Sequence, residues 1–335
     1  MLILYISLQR VQLLNFTRME DNRQIFQIPT TDFSFKRIFG TEANKHFLIH
    51  FLNCFVAKYT GNVKDITYLN TEQYGLAEHE RKLVFDILCK TDKDKQFIVE
   101  MQCARQPDYA DRSIFYLSRS ISSSQKKGVR SYRITPTYSV NLLDFTLPEI
   151  FDSGECFSAF FIKDQKNHVL SKKVAFFYIN LCNFAAQQSE VTEEMRTWLN
   201  LLKNMPHMDE RDYSSYTGVF QTLLDECRIS KLSKMEKENY EKSVLEYEEV
   251  QTAIEYAKEL AAEASYKAGV KNGKEEGRNE GMQEGIEKGR EEGMQKGREE
   301  ALIQTASNFL KLGISVADIS KATGLSEEQI MALQP

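Results

Sequence analysis

Asp86, Glu100 and Gln102 supply two carboxylates and an amide at a spacing that suits a divalent cation. Two acids that face each other repel, and burial makes each favour its neutral form. A divalent cation removes this conflict, because Mg²⁺ takes one or two protein carboxylates and completes its shell with water and phosphate oxygens. The cation makes water a better nucleophile near neutral pH, and the amide can orient that water or hold a phosphate oxygen. These residue types predict hydrolysis of a phosphodiester bond.

A β-hairpin is needed to bring the three side chains together. Leu83–Lys90 and Gln96–Cys103 are runs rich in apolar, β-branched and aromatic residues, separated by a polar stretch centred on Lys93. A turn at that centre places Asp86 opposite Glu100, with Cβ atoms about 4.5–5.5 Å apart. Strand alternation then places Gln102 on the same face as Glu100.

The same alternation predicts two different faces for the hairpin. Besides the polar residues, the first face carries Val84, Leu88 and Ile98. The opposite face carries Phe85, Ile87, Phe97, Val99 and Met101. A strand that merely turns three polar residues to solvent is the alternative interpretation, and the apolar residues of the first face argue against it.

Three segments resemble the Rpn family of recombination-promoting nucleases and transposases, which belongs to the PD-(D/E)XK nuclease superfamily. They are Thr31-Asp32-Phe33-Ser34-Phe35-Lys36-Arg37-Ile38-Phe39-Gly40, Phe85-Asp86-Ile87 and Val99-Glu100-Met101-Gln102, and a helix rich in Arg and Tyr follows them. The resemblance extends over residues 28–335, including the tail.

This resemblance implies a restriction-endonuclease-like α/β core of order αβββαβ, with helices flanking a mixed sheet, and Mg²⁺-dependent DNA cleavage. Asp86 and Glu100 match the catalytic, metal-binding acids, with Mg²⁺ or another divalent cation as cofactor. Gln102 takes the place of the superfamily's lysine. Asp32 and Lys36 match charged positions of the first motif and are additional catalytic candidates. Active members of the superfamily also carry glutamine at this position, so catalysis is not excluded.

A basic helix is predicted directly after the hairpin. The chain has a net charge of −5, yet seven basic and two acidic residues lie between Cys103 and Thr135. Arg112, Arg119 and Lys126 recur at seven-residue spacing, which places them on one helix face over Asp108–Lys127. Such a stripe can follow a phosphate backbone, and a solvated helix face is the ordinary alternative.

Hydrophobic patterning divides the chain into five predicted parts, and its 335 residues suit about two domains. The parts are an N-terminal extension (1–27), a nuclease-like domain (28–185), a helical region with a long charged helix (186–268), a glycine repeat (269–300) and a helix-turn-helix-like module (301–335). Met19 precedes a polar run and the first motif, and we expect translation to start there. N-terminal mass spectrometry of the native protein would test that start.

The glycine repeat has two interpretations. Glycine occupies every fourth position from Gly269 to Gly297. A helix would lose about 1 kcal/mol at each glycine relative to Ala, which ion pairs and close contact with another helix would offset. A flexible linker is the equally weighted alternative.

The tail regains hydrophobic periodicity after the repeat. Ser326 and Gln329 fit a capping box, and the pattern of a helix, a glycine turn and a helix outlines a helix-turn-helix. Glu327 and Glu328 at the start of the last helix are poor neighbours for phosphates, which favours protein contact over DNA reading. The predicted partners are therefore DNA for the nuclease domain and a second copy of the chain for the tail.

Other classes of protein fit the sequence less well. No stretch of 18 apolar residues indicates a membrane span, and the six cysteines lack a C-x-x-C pair or an accompanying export signal, as in a reduced cytoplasmic protein. His46 and His50 share a helix face, which would suit zinc. Because no Glu follows His46 in the metalloprotease manner, and we expect no further Cys or His at metal spacing, they are interpreted as core or surface residues.

The sequence therefore favours a metal-dependent DNA endonuclease of low sequence specificity, associated with recombination or mobile elements. A catalytically weak DNA-binding or oligomeric regulator on the same fold is the alternative. A structural or toxin-like protein whose tail sets the assembly size is a third hypothesis.

Overall fold

A computed structural model describes residues 24–73, 83–124, 133–151, 154–183 and 190–333. The predicted start at Met19 and the basic residue Lys126 lie outside these ranges. The chain forms two compact units, with the boundary between Glu255 and Tyr256.

A six-stranded mixed sheet forms the centre of the first unit. Its strands are β1 (Ile66–Tyr68), β4 (Ile87–Thr91), β5 (Gln96–Gln102), β6 (Thr137–Leu143), β7 (Phe157–Phe161) and β8 (Val174–Asn180), arranged in the order β1-β4-β5-β6-β8-β7. The pairs β1–β4, β4–β5 and β7–β8 are antiparallel, whereas β5–β6 and β6–β8 are parallel. All seven residues of β6 are buried, as a central strand covered on both faces requires.

The first predicted strand of the hairpin is divided in the structure. β3 (Leu83–Val84) pairs with β2 (Glu72–Gln73) as a separate ribbon, and β4 begins only at Ile87. The predicted register is nevertheless confirmed, because Ile87 pairs with Val99 and Leu88 pairs with Ile98. The interruption falls at Phe85 and Asp86, and Phe85 packs with Leu88 and Ile98 instead of with Ile87.

Helices flank the sheet on both faces. They are α1 (Asp32–Phe39), α2 (Lys45–Phe55), α3 (Ala57–Thr60), α4 (Tyr109–Ser123), α5 (Glu193–Asn204), α6 (Glu210–Ser214), α7 (Gly218–Glu226), α8 (Lys234–Lys311), α9 (Val316–Thr323) and α10 (Glu327–Met331). Residues of α1, α2, α5 and α7 share one apolar core with one face of the sheet, and α4 packs on the opposite face. This order of helices and strands is the predicted αβββαβ core. Within the described part of the chain, no helix has the length and apolar composition needed to cross a membrane.

Local sequence explains where the first helix begins and what it buries. The Thr31 hydroxyl caps α1 by accepting a hydrogen bond from the Ser34 amide, and Asp32 occupies the first turn. Phe35, Ile38 and Phe39 recur at helical spacing and are buried. The Phe39 ring lies 5.7 Å from that of Trp198, which joins α1 to α5 within the core.

The glycine repeat lies within α8, which is continuous from Lys234 to Lys311. The structure therefore favours the helical interpretation over the linker. A Cβ added at any glycine from Gly269 to Gly297 would meet nothing within 4 Å apart from the local helix backbone.

The predicted helix-turn-helix outline is present in the second unit. Gly324 ends α9 with φ 78°, a left-handed conformation that glycine adopts without steric cost. Ser326 and Gln329 form the predicted capping box at the start of α10. Ala306, Ile319 and Ile330 form the buried centre of this small module.

Replacing Gly285 and Gly289 with Ala should stabilise α8 by about 1 kcal/mol per residue, because alanine restricts the unfolded chain and fits the open space. Hydrogen exchange of the amides between residues 280 and 295 should slow. Gly40→Ala is the opposing control, since its Cβ would lie 2.6 Å from the Lys36 carbonyl oxygen and should lower Tm. Faster exchange in the repeat variant would indicate that the glycines serve a close contact with another chain.

Candidate nuclease site

Asp86 and Glu100 meet at the end of the hairpin. The Asp86 amide donates to Oε1 of Glu100 at 3.2 Å, and the Met101 amide donates to Oδ2 of Asp86 at 2.8 Å. Each carboxylate thus accepts a hydrogen bond from the backbone of the facing segment. These bonds fix both acids without neutralising them.

Asp86 lies in a bend directly before β4, where it contacts Glu100 and Met101. Strict alternation predicts Phe85 on the face of Ile87, and this prediction is wrong. Phe85 is fully buried with Leu88 and Ile98 beneath α4, and its ring makes an edge contact with Tyr116 at 5.3 Å. Val84, which was predicted to share that face, is 46% exposed. The separate pairing of β3 with β2 interrupts the pleat, so the alternation cannot be extended from β4 into β3.

Burial dominates the electrostatics of the pair. Glu100 is only 3% exposed, and its pKa is raised to about 8 by desolvation and, next, by the charge of Asp86. Desolvation also raises the pKa of Asp86, while its hydrogen bond from Met101 and the charge of Lys36 oppose the rise. The two acids therefore resist being ionised together unless positive charge is added.

Arg112 contacts the acids of this site, in addition to lying in the basic stripe predicted to follow a DNA backbone. Its guanidinium lies 3.9 Å from Oε2 of Glu100 and 4.9 Å from the centre of the Tyr116 ring. It also donates to Oε1 of Gln106. Arg112 consequently supplies part of the positive charge that the buried acids need.

The first motif also reaches the pair electrostatically. Asp32 and Lys36 form an ion pair of 2.6 Å on the exposed side of α1 and line a groove with residues of α8. The Lys36 charge lowers the pKa of both Asp86 and Glu100, and the Asp32 charge raises the pKa of Asp86. The charges of the first motif thus act on the two acids of the hairpin.

Gln102 lies at the end of β5, two residues after Glu100 and partly buried. Its carbonyl oxygen accepts from the Asp144 amide at 2.9 Å, and the buried Asp144 carboxylate forms an ion pair with Lys203. The Lys203 ammonium near this strand end is therefore held by Asp144. The side-chain amide of Gln102 is therefore the group at this strand end that can hydrogen-bond a water or a phosphate oxygen.

The predicted basic stripe is only partly exposed. Arg112 and Arg119 are half-buried on α4, while Asp111, Ile114, Phe115 and Ser118 are its exposed residues in this region. Lys126 lies beyond the end of α4 at Ser123, outside the described ranges. DNA contact by these basic residues stays a prediction.

Sequence reasoning missed a polar row that continues from Glu100 across the sheet. Glu100 pairs with Asn141, which pairs with Tyr178. Tyr109 donates to Oδ1 of Asn141 at 3.0 Å, and the hydroxyls of Ser113 and Tyr178 lie 2.5 Å apart. These bonds fix α4 over Glu100. An asparagine in the middle of a strand with strong apolar character was the available sequence signal.

The donor set fits a hard divalent cation. Asp86 and Glu100 offer carboxylate oxygens on facing segments, and the Arg112 guanidinium lies 3.9 Å from Glu100. Oxygen ligands are those that Mg²⁺ and Mn²⁺ prefer. A cation held by both carboxylates would offset the repulsion that now raises the pKa of Glu100.

The family of the chain follows from its fold and from this site. A mixed sheet flanked by helices, with two acids at the hairpin end, defines a PD-(D/E)XK-type α/β protein. Residues 29–257 match the family described as PD-(D/E)XK nuclease family transposase, and the chain belongs to this nuclease family. Such nucleases typically use divalent metal ions. No curated protein and no solved structure matches the chain significantly.

Glu100→Gln should change how the stability of the cation-free protein depends on pH. Folded Glu100 keeps its proton up to pH about 8, whereas the unfolded chain releases it near 4.5. The folded state therefore binds more protons in this window, and the free energy of unfolding falls as pH rises, by up to about 1.4 kcal/mol per pH unit. Glutamine cannot ionise, so the variant's free energy of unfolding should rise relative to that of the wild type as the pH increases from 4.5 to 8. Urea melts with EDTA measure this difference. Parallel pH profiles would contradict the buried-acid assignment.

Proposed function

We propose that this protein is a metal-dependent DNA endonuclease that hydrolyses phosphodiester bonds with low sequence specificity. The observation that carries the proposal is the pairing of Asp86 with Glu100, in which each carboxylate accepts a hydrogen bond from the backbone of the facing segment and Glu100 is buried. Asp86 and Glu100 would hold the cation. When bound, a divalent cation would supply the Lewis acidity that activates water and offsets charge on the scissile phosphate.

The chain's own residues would position the reacting groups. The Gln102 amide can donate to a phosphate oxygen or accept from a water, but it cannot take a proton near pH 7. Lys36 supplies the positive charge that the superfamily's lysine would otherwise bring to this strand end. Arg112, whose guanidinium lies 3.9 Å from Glu100, favours the ionised form of that acid. None of these roles requires a covalent protein intermediate.

Low sequence specificity follows from the groups that would meet the DNA. Lys36, Arg112 and Arg119 carry positive charge, which acts on phosphates that every sequence shares. Arg119 and Lys126 would extend the contact along the DNA backbone. The family description as a transposase supports a role in recombination or mobile elements. Strand transfer is not part of the proposal.

Plasmid cleavage tests the proposed mechanism. Wild-type protein with Mg²⁺ should nick supercoiled plasmid at scattered positions, and EDTA should abolish nicking. Asp86→Asn and Glu100→Gln should each reduce the rate by more than the roughly 10–100-fold that is lost with a residue that only orients a metal ligand. Asp92→Asn, in the exposed turn before β5, is the matched control and should cleave like the wild type. Equal nicking by wild type and Asp86→Asn would overturn the mechanism.

Lys36→Met tests the role of the first motif. Removing this positive charge should raise the pKa of both acids, because Lys36 lowers both values in the wild type. The acidic limb of the cleavage profile should therefore move to higher pH, and the rate at neutral pH should fall. Lys36→Arg should restore the profile, while Lys64→Met, on an exposed loop, should not alter it. An unchanged profile in Lys36→Met would exclude the residue from the site.

A second candidate function is supported by Gln102. A neutral amide in place of lysine is compatible with a catalytically weak regulator that binds DNA on the same fold. Such a protein would retard DNA in a salt-dependent way without nicking it, and Glu100→Gln would bind as well as the wild type.

We further propose that the tail mediates homo-oligomerisation. The part of α8 after Glu255 exposes Met282, Ile286 and Met294 along the glycine repeat, and these apolar side chains suit contact with another helix. The mass of the full chain in solution, compared with that of a variant lacking residues 269–335, tests this role directly. An unchanged oligomeric state would exclude it.

A further inference from the structure

Three potential metal ligands meet between α2 and α5. His50 and Cys54 lie four residues apart on α2, and Glu194 lies in the first turn of α5. The ligand atoms of the three side chains all lie within 4.8 Å of one another. α2 and α5 share the core on the face of the sheet opposite α4, so this cluster is separate from the candidate nuclease site.

The distances within the cluster approach those of a tetrahedral zinc site. Cys54 Sγ lies 3.5 Å from His50 Nδ1 and 3.6 Å from Glu194 Oε2. Zn²⁺ bonds of about 2.3 Å to sulfur and about 2.0–2.1 Å to nitrogen or oxygen, arranged tetrahedrally, place such ligand atoms about 3.5 Å apart. A cation at their centre would therefore require little movement of Cys54 relative to either partner.

The elements that carry the ligands differ in rigidity. His50 and Cys54 are half-buried on a helix whose Phe47, Leu48, Phe51 and Leu52 are fully buried, which fixes their spacing. Glu194 is exposed and can adjust its rotamer to complete the site. A water can take the fourth position on the exposed side.

We propose that His50, Cys54 and Glu194 form a binding site for Zn²⁺ or a cation of similar softness, with water as the fourth ligand. Thiolate and imidazole ligands select such ions over Mg²⁺, which prefers oxygen. Coordination ionises the Cys54 thiol and releases its proton to solvent. No redox step is involved.

Trp198 links the site to the core. Its indole N–H donates to His50 Nδ1 at 3.0 Å, the atom that would bind the cation. Burial and the charge of Glu194 raise the pKa of the Cys54 thiol to about 12, and Trp198 opposes the rise.

The proposed cation would join two helices of the unit that carries the nuclease site. Because α2 and α5 lie far apart in sequence, a cation bound only in the folded state would stabilise that unit according to its affinity. The sequence interpretation of His50 as an ordinary core or surface histidine overlooked Cys54 one helical turn later. Glu194 could be placed beside them only by the fold.

Metal binding is measured on the full chain carrying Glu100→Gln, which is the parent protein here. This substitution removes one of the two acids of the candidate nuclease site, so that zinc does not bind there. Calorimetry with Zn²⁺ in Mg²⁺-containing buffers of different ionisation enthalpy should show one site and release of about one proton. Cys54→Ser and His50→Gln should each weaken binding at least about 100-fold. Cys182→Ser and His46→Gln, which replace exposed residues of the same two types, are the matched controls and should bind like the parent.

Two spectroscopic signals report the same event. Trp198 is the only tryptophan, so Zn²⁺ should change the indole fluorescence of the parent and the change should disappear in His50→Gln. Co²⁺ should give a sulfur-to-metal charge-transfer band that Cys54→Ser abolishes. Circular dichroism melts confirm that each variant is folded. Zinc binding that is as tight in folded Cys54→Ser as in the parent, or absent from the folded parent, overturns the proposal whatever the outcome of plasmid cleavage.

Discussion

The buried contact between Asp86 and Glu100 is the constraint on which the rest of the nuclease site depends. Desolvation and, next, the charge of Asp86 raise the pKa of Glu100 to about 8. The facing backbones hold the acids in place, since the Asp86 amide donates to Glu100 and the Met101 amide donates to Asp86. The two acids can therefore be ionised together near neutral pH only if positive charge lies close to them. Arg112 and Lys36 supply part of this positive charge, and a divalent cation would supply the rest.

The scaffold around this pair keeps it both rigid and buried. β5 lies between β4 and β6 in the sheet, so Glu100 is fixed by strands on both sides. α4 covers the same face and is tied to the sheet by the hydrogen bond from Tyr109 to Asn141. These contacts explain how a carboxylate can remain 3% exposed at the end of a hairpin. Burial in turn makes the attraction between the acids and a cation stronger than it would be in water.

Much of the fold and part of the site could be predicted from the sequence, for local reasons. Apolar runs separated by a polar turn fixed the register of β4 with β5, which alternation and turn length determine together. The same alternation misplaced Phe85, because β3 leaves the sheet to pair with β2 and the pleat does not continue through the bend. The linker and helix interpretations of the glycine repeat were balanced, since helix propensity and ion pairs oppose each other at similar magnitude.

The sequence by itself determined which residues can do chemistry: the two acids, the amide of Gln102, and the first motif with Asp32 and Lys36. Their identities and short-range spacing are properties of the chain. Only the tertiary structure decided that Arg112 faces Glu100, that Asn141 and Tyr178 continue a polar row from it, and that Glu194 joins His50 and Cys54. These contacts join helices and strands distant in sequence, and packing of the apolar faces brings them together. Hydrophobic periodicity specifies which face is buried, but not which polar groups meet there.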